Sequence, residues 1–178
     1  MGVHDCDAYF YTEKDDANGA FCTRCGSLIE GYEFSPRNIG KRQFRGDWGT
    51  TYDGQYLITD HARKFLSKHK IKFHVVQANL KPKLYALFLD EVFKFDYKAT
   101  GTRFVDYCEA CRQYKSVVGA LPCEFTFPPS FDPMKLYRSD LRFGTGREKG
   151  YVIAAGAHLK TLLEKEFQEL YFEHVIID

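Results

Sequence analysis

The chain carries two cysteine pairs of identical spacing, Cys22-Thr-Arg-Cys25 and Cys108-Glu-Ala-Cys111. A C-x2-C turn presents two thiolates from one tight loop, and two such loops complete a tetrahedral four-sulfur site suited to zinc. A site of that kind keeps no open position for water, so its metal is structural rather than hydrolytic. Gly26 follows the first pair, where the turn calls for positive φ. Arg112 stands in the same place after the second, at some cost in strain if the backbone is shared. Four thiolates around one dication leave excess negative charge, which backbone N–H groups in the turns and the neighbouring Arg24 and Arg112 are placed to offset. The expectation is one structural Zn2+ per chain, held by Cys22, Cys25, Cys108 and Cys111.

Two alternatives for the cysteines are weaker. Three disulfides would need an oxidising compartment, and the first residues show no basic region followed by an apolar stretch that would export the chain. Thioredoxin-like redox chemistry wants a C-x2-C at the start of a helix, and neither pair precedes a helical pattern. Cys6 and Cys123 have no partner at this spacing, and Cys123 reads as a small buried residue.

No other chemistry stands out. His4, His61, His69, His74, His158 and His174 are scattered, and no G-x-S-x-G, H-E-x-x-H, P-loop or dinucleotide fingerprint accompanies them. The Gly-rich piece Gly144-Thr-Gly-Arg-Glu-Lys-Gly150 lacks the strand-turn-helix setting of a nucleotide site and reads as a hairpin or loop. Catalytic residues and organic cofactors are therefore not expected, and the chain does not read as an enzyme. Two R-x-D elements, Arg45 with Asp47 and Arg138 with Asp140, invite a polar site, but locally bonded structural pairs are the commoner use.

The elements that must position the cysteines follow from composition and periodicity. In 178 residues, hydrophobic types make up 44% and aromatic types 16%, enough to fill a core and to exclude intrinsic disorder. The formal net charge of +1 gives no electrostatic pull toward nucleic acid or anionic membrane. No apolar run reaches the ~20 residues that span a bilayer, and a cytoplasmic location is expected.

Comparison of the two halves reveals a repeat. Phe44-Arg-Gly-Asp-Trp48 returns as Tyr137-Arg-Ser-Asp-Leu141, each followed by a Gly-rich stretch and a short apolar run, Tyr56-Leu-Ile58 and Tyr151-Val-Ile153. A helical pattern comes next, with Ala62, Phe65 and Leu66 in the first copy matching Leu159, Leu162 and Leu163 in the second. Alternating segments, 72–76 and 171–177, close each copy as strands. Between the copies, 84–89, 92–97 and 102–107 read as strands, and Pro128-Pro129 marks a linker. The fold class is α+β: two related β-α-β units flank a β-rich region with a zinc-ribbon-like four-cysteine site. Residues 1–127 hold both knuckles and the first copy, and 128–178 hold the second, packed on the first as one unit. Trp48, Tyr52, Tyr56 and Phe143 are candidates for an exposed aromatic surface.

Four of these pieces in order resemble the double-CxxCG motif proteins, which are similar to immunity proteins of bacterial polymorphic toxin systems. They are Cys22-Thr-Arg-Cys-Gly26, Cys108-Glu-Ala-Cys111, Asp132-Pro-Met-Lys-Leu-Tyr-Arg138, and Tyr151-Val-Ile-Ala-Ala155 with its helix and final strand. Arg112 replaces the second motif's Gly, and Ala155-Gly-Ala-His158 stands where the family has Ser-Glu-Arg. The resemblance implies a non-catalytic protein that binds and neutralises a cognate protein toxin. The alternative is a zinc-ribbon protein that binds nucleic acid or regulates, for which Lys68, Lys70, Lys72, Lys81 and Lys83 would supply a local patch against the neutral whole.

Overall fold

The computed structural model describes residues 1–6, 8–10, 19–29, 44–79, 83–120, 124–126, 131–173 and 176–177. Cys123, Lys81, His174 and the Pro128-Pro129 linker lie outside the described residues. The chain is mixed α+β and mostly β, with two helices and two sheets among the described residues.

In the first sheet the strands β1 (His4–Asp5), β2 (Trp48–Thr50), β3 (Tyr56–Thr59), β4 (His74–Asn79) and β5 (Leu84–Phe88) take the order β1-β2-β3-β5-β4. Helix α1 (Asp60–Lys68) connects β3 to β4, and both of those strands run antiparallel to β5. The second sheet holds β6 (Val92–Phe95), β7 (Arg103–Cys108), β8 (Gln113–Val118), β9 (Glu124–Thr126), β10 (Leu136–Thr145), β11 (Glu148–Ala155) and β12 (Ile176–Ile177). Its order is β12-β9-β6-β10-β8-β7, with β11 paired to β10. Strand β10 is the hub: it meets β6 at Arg138 and Ser139, β8 at Gly144 and Thr145, and β11 along most of its length.

Local chemistry explains the helices. Thr59 caps α1 by accepting from the Ala62 N–H, and Asp60 in the first turn pairs with Arg63 (2.6 Å) and Lys64 (2.8 Å). Helix α2 (Ala157–Glu166) starts at Gly156, which has no side chain to cap with; the Leu159 N–H donates to the Pro133 carbonyl instead (3.0 Å). Ala62 and Leu66 of α1, and Leu159 and Leu163 of α2, are fully buried in one cluster with Trp48, Ile58, Leu136, Ile153 and Phe167. The matched helical register of the two copies is thus observed, with each pair three and seven residues after its cap.

The repeat differs from its sequence alignment in one respect. Trp48 pairs with Ile58, the residue before the α1 cap, and Leu136 pairs with Ala155, the residue before the α2 cap. The structural counterpart of Trp48 is therefore Leu136 and not Leu141, and the two R-x-D elements are out of step by five positions. Each copy is a β-hairpin followed by a helix. The final segment also departs from expectation: Tyr171 makes only an isolated bridge to Gly2, and Ile176–Ile177 pairs with β9. The Gly-rich turns of the two copies do meet. A Cβ on Gly54 (φ +75°) would come within 2.5 Å of the Gly150 Cα, so the backbones pack at a distance that a side chain forbids.

Candidate metal centre

Each cysteine pair sits at the tip of a hairpin. In the first, the Gly26 N–H donates to the Cys22 carbonyl (2.8 Å), and the Cys22 N–H donates to the Ser27 carbonyl (2.8 Å). In the second, which joins β7 to β8, the Arg112 N–H donates to the Cys108 carbonyl (2.7 Å). Gly26 has φ +74° and Arg112 has φ +57°, so the second turn repeats the backbone of the first with a residue less suited to it. The two tips are tied by the Gln113 side-chain amide, which donates to the Leu28 carbonyl (3.1 Å).

The structure brings together all four predicted ligands. Their Sγ atoms all lie within 4.8 Å of one another, with Cys22 3.8 Å from Cys108 and Cys25 3.4 Å from Cys111. Sulfurs bound tetrahedrally at about 2.3 Å from a metal are about 3.8 Å apart, so the cluster is of a size to close around an ion. All four are free thiols; Cys22 and Cys108 are buried, Cys25 and Cys111 half-buried. Cys6 is also buried, but it belongs to a separate apolar cluster with Phe10 and Phe44.

Electrostatics divide the thiols. Burial opposes ionisation of Cys25, but the Ser27 hydroxyl and N–H outweigh it and hold the thiol down at about 6. Burial pushes Cys111 up to about 12, and the hydrogen bond to Cys25 adds to this. A metal ion would stabilise all four as thiolates.

The compensating charge differs from expectation. Arg24 and Arg112 are both exposed. The cation built into the site is Lys149, only 3% exposed, whose Nζ donates to Ser27 Oγ and to the Tyr114 carbonyl, each at 2.8 Å. Burial and the Arg142 charge lower its pKa, while the charges of Cys25 and Cys111 act in the opposite sense. Lys149 arrives on β11, and its hairpin reaches both cysteine hairpins: the Gly146 N–H donates to the Lys115 carbonyl of β8 (2.7 Å), and Arg147 stacks on Phe21 beside the first knuckle (4.3 Å). Nothing in the string Arg147-Glu-Lys149 distinguishes this lysine from a surface one. Its burial is a product of three hairpins meeting.

The R-x-D elements serve unrelated ends. Arg45 is exposed, while Asp47 accepts from Thr59 Oγ1 and bonds His61 Nδ1 (3.1 Å). Asp140 accepts from the Phe95 N–H (3.0 Å), and Arg138 Nε donates to the Leu89 carbonyl (2.9 Å). Of the four aromatics proposed as surface, Trp48 is fully buried and only Tyr52 is exposed; the hydrophobic cluster claims Trp48 because its strand opens the first hairpin. The exposed aromatics that form a continuous set are elsewhere. Tyr97, Phe104, Tyr114 and Tyr107 touch in sequence, with ring centroids 5.5, 5.0 and 5.2 Å apart, along the β7–β8 hairpin that ends in the second knuckle.

Comparison with family models, with curated proteins and with solved structures gives no match for this chain. No helix among the described residues is long and apolar enough to cross a membrane.

Proposed function

We propose that the four cysteines hold one structural zinc ion in a ribbon-like site and that the protein acts without catalysis, by binding another protein. The partner in this reading is a cognate bacterial toxin, which the chain neutralises in the cytoplasm, as the resemblance to double-CxxCG immunity proteins implies. Zinc is favoured over other metals by four soft thiolate donors in a closed set. The observation that carries the binding role is the row Tyr97, Phe104, Tyr114 and Tyr107. Tyr107 and Tyr114 are exposed on the hairpin whose tip carries Cys108 and Cys111, and Tyr97, also exposed, continues the row just before β7. Tyr is prominent among residues that dominate protein interfaces, because it covers much area at little entropic cost. Co-expression with the product of the adjacent gene tests the reading: a stable complex and relief of that product's toxicity are expected, both lost in Tyr107→Ala/Tyr114→Ala with metal content retained. Unrelieved toxicity and no complex would count against it.

A second reading has one observation in its favour. Arg103, Arg112 and Lys115 are exposed on the same hairpin, and aromatic rings beside cations can stack the bases of a single strand. Asp106 and Glu109 lie exposed among them and would repel phosphates, so the hairpin is a poorer fit to nucleic acid than to protein. Affinity for RNA or DNA that falls steeply with salt would favour this second role.

A further inference from the structure

A cavity of about 570 Å³ opens where the two sheets adjoin, lined by β3 and β5 of the first and by β6, β10 and β11 of the second. Its size is that of a small-molecule site. Leu28, Ile29, Tyr56 and Val92 give it apolar walls. Arg138, Asp140 and Arg142, alternate residues of β10, bring charge to it. This is the use the second R-x-D element finds, and the first has no share in it.

The guanidinium groups are unusually disposed. Both lie over the Tyr151 ring, with Cζ 4.5 Å from the centroid for Arg138 and 5.4 Å for Arg142. Their hydrogen bonds go to neutral backbone carbonyls: Arg138 to Leu89 and Ser139, Arg142 Nη2 to Lys149 (2.9 Å). Among the described residues neither forms an ion pair, and the buried Nε of Arg142 has no acceptor. The carboxylates at the cavity are engaged otherwise: Asp140 accepts from the Phe95 N–H, and Asp90 pairs with His74 (2.7 Å). They disfavour a multiply charged occupant beside them.

We propose that this cavity binds a small organic carboxylate with a flat apolar body, its single anionic group taken by Arg142 and Arg138 and its body set against Tyr151 and Val92. A planar carboxylate matches the guanidinium fork, and the apolar walls have no use for a bare inorganic anion. The site stands independently of the toxin-binding role.

The test is a titration of the zinc-loaded full chain, followed by amide and arginine Nε–H resonances, with benzoate, benzyl alcohol and inorganic phosphate as probes. Saturable shifts at Arg142 and Tyr151 with millimolar benzoate, and neither other probe matching them, are expected. Arg142→Gln should weaken benzoate at least about tenfold, and Arg103→Gln, on the distant hairpin, should leave it unchanged. Val92→Trp, which fills the cavity and keeps both guanidiniums, should abolish binding and serves if Arg142→Gln fails to fold. No shift with benzoate, equal response to benzyl alcohol or to phosphate, or undiminished binding by either cavity variant would overturn the proposal.

Discussion

The Nζ of Lys149 lies 2.8 Å from Ser27 Oγ, a contact between residues 122 positions apart that joins the second hairpin copy to the first cysteine turn. Ser27 in turn holds down the Cys25 thiol. The lysine therefore reaches a ligand through one intermediary, at the place where four thiolates would leave negative charge unbalanced. Lys149→Met should weaken zinc binding about tenfold, as removal of outer-shell partners commonly does. Competition with a chromophoric chelator would measure it. Arg24→Met and Arg112→Met should leave the affinity within about twofold, since solvent screens both exposed charges.

Zinc content and folding should be coupled. Elemental analysis is expected to give about one zinc per chain, and Cys108→Ser should lose it along with cooperative unfolding, because such sites contribute on the order of 10 kcal/mol. Cys6→Ala should retain the metal, since Cys6 packs in a different cluster. Absence of bound metal from freshly purified protein, or full occupancy in Cys108→Ser, would contradict the assignment.

The strained turn offers a gain of stability. Arg112 has φ +57° in a conformation that Gly26 adopts freely in the matching turn. Arg112→Gly relieves a cost of about 1–2 kcal/mol and gives back about 0.5–1 kcal/mol in unfolded-state entropy. A net gain of up to about 1.5 kcal/mol should appear in chemical denaturation of the zinc-loaded protein.

The pH dependence of folding should carry opposite signatures at its two ends. His61 bonds Asp47 through Nδ1 and Glu166 through Nε2 (3.0 Å), linking the first copy to the end of α2, and these carboxylates raise its pKa above 6.5. A raised pKa stabilises the fold fully below 6.5, and the contribution is lost as pH climbs through the folded value. The group is 54% exposed, so the effect should stay under about 1 kcal/mol. His61→Ala should flatten this limb. At the acid end Lys64 and Arg63 hold Asp60 at about 2, against 3.8 unperturbed. Its contribution is present above 3.8 and lost as pH falls toward 2, and Asp60→Asn should remove that limb. Thermal unfolding across pH at fixed zinc would show the histidine limb, and the difference between the wild-type and Asp60→Asn curves separates the aspartate limb from acid release of the zinc, which both share.

Local patterns foretold much of this arrangement. The C-x2-C spacing named the four ligands, because two thiolates on one turn need only a second such turn nearby. The apolar spacing of Ala62 and Leu66, and of Leu159 and Leu163, placed two helices whose buried faces are those expected. Phe93 and Phe95 turned inward from an alternating strand as the period of two requires. Strand β10 was not legible: its first half meets β6 and its last residues meet β8, so neither face repeats a simple apolar alternation. The cap of α2 was hidden for a similar reason, since Gly156 offers no side chain and Pro133 supplies the acceptor from another turn.

The sequence by itself determined which residues could bind a metal and which helix faces would be buried, because those properties depend on spacing within a turn or two. Tertiary structure decided which charge stands beside the thiols, where Trp48 goes and what the second R-x-D element does. Those outcomes depend on desolvation, and only the meeting of distant hairpins determines which side chains lose their water.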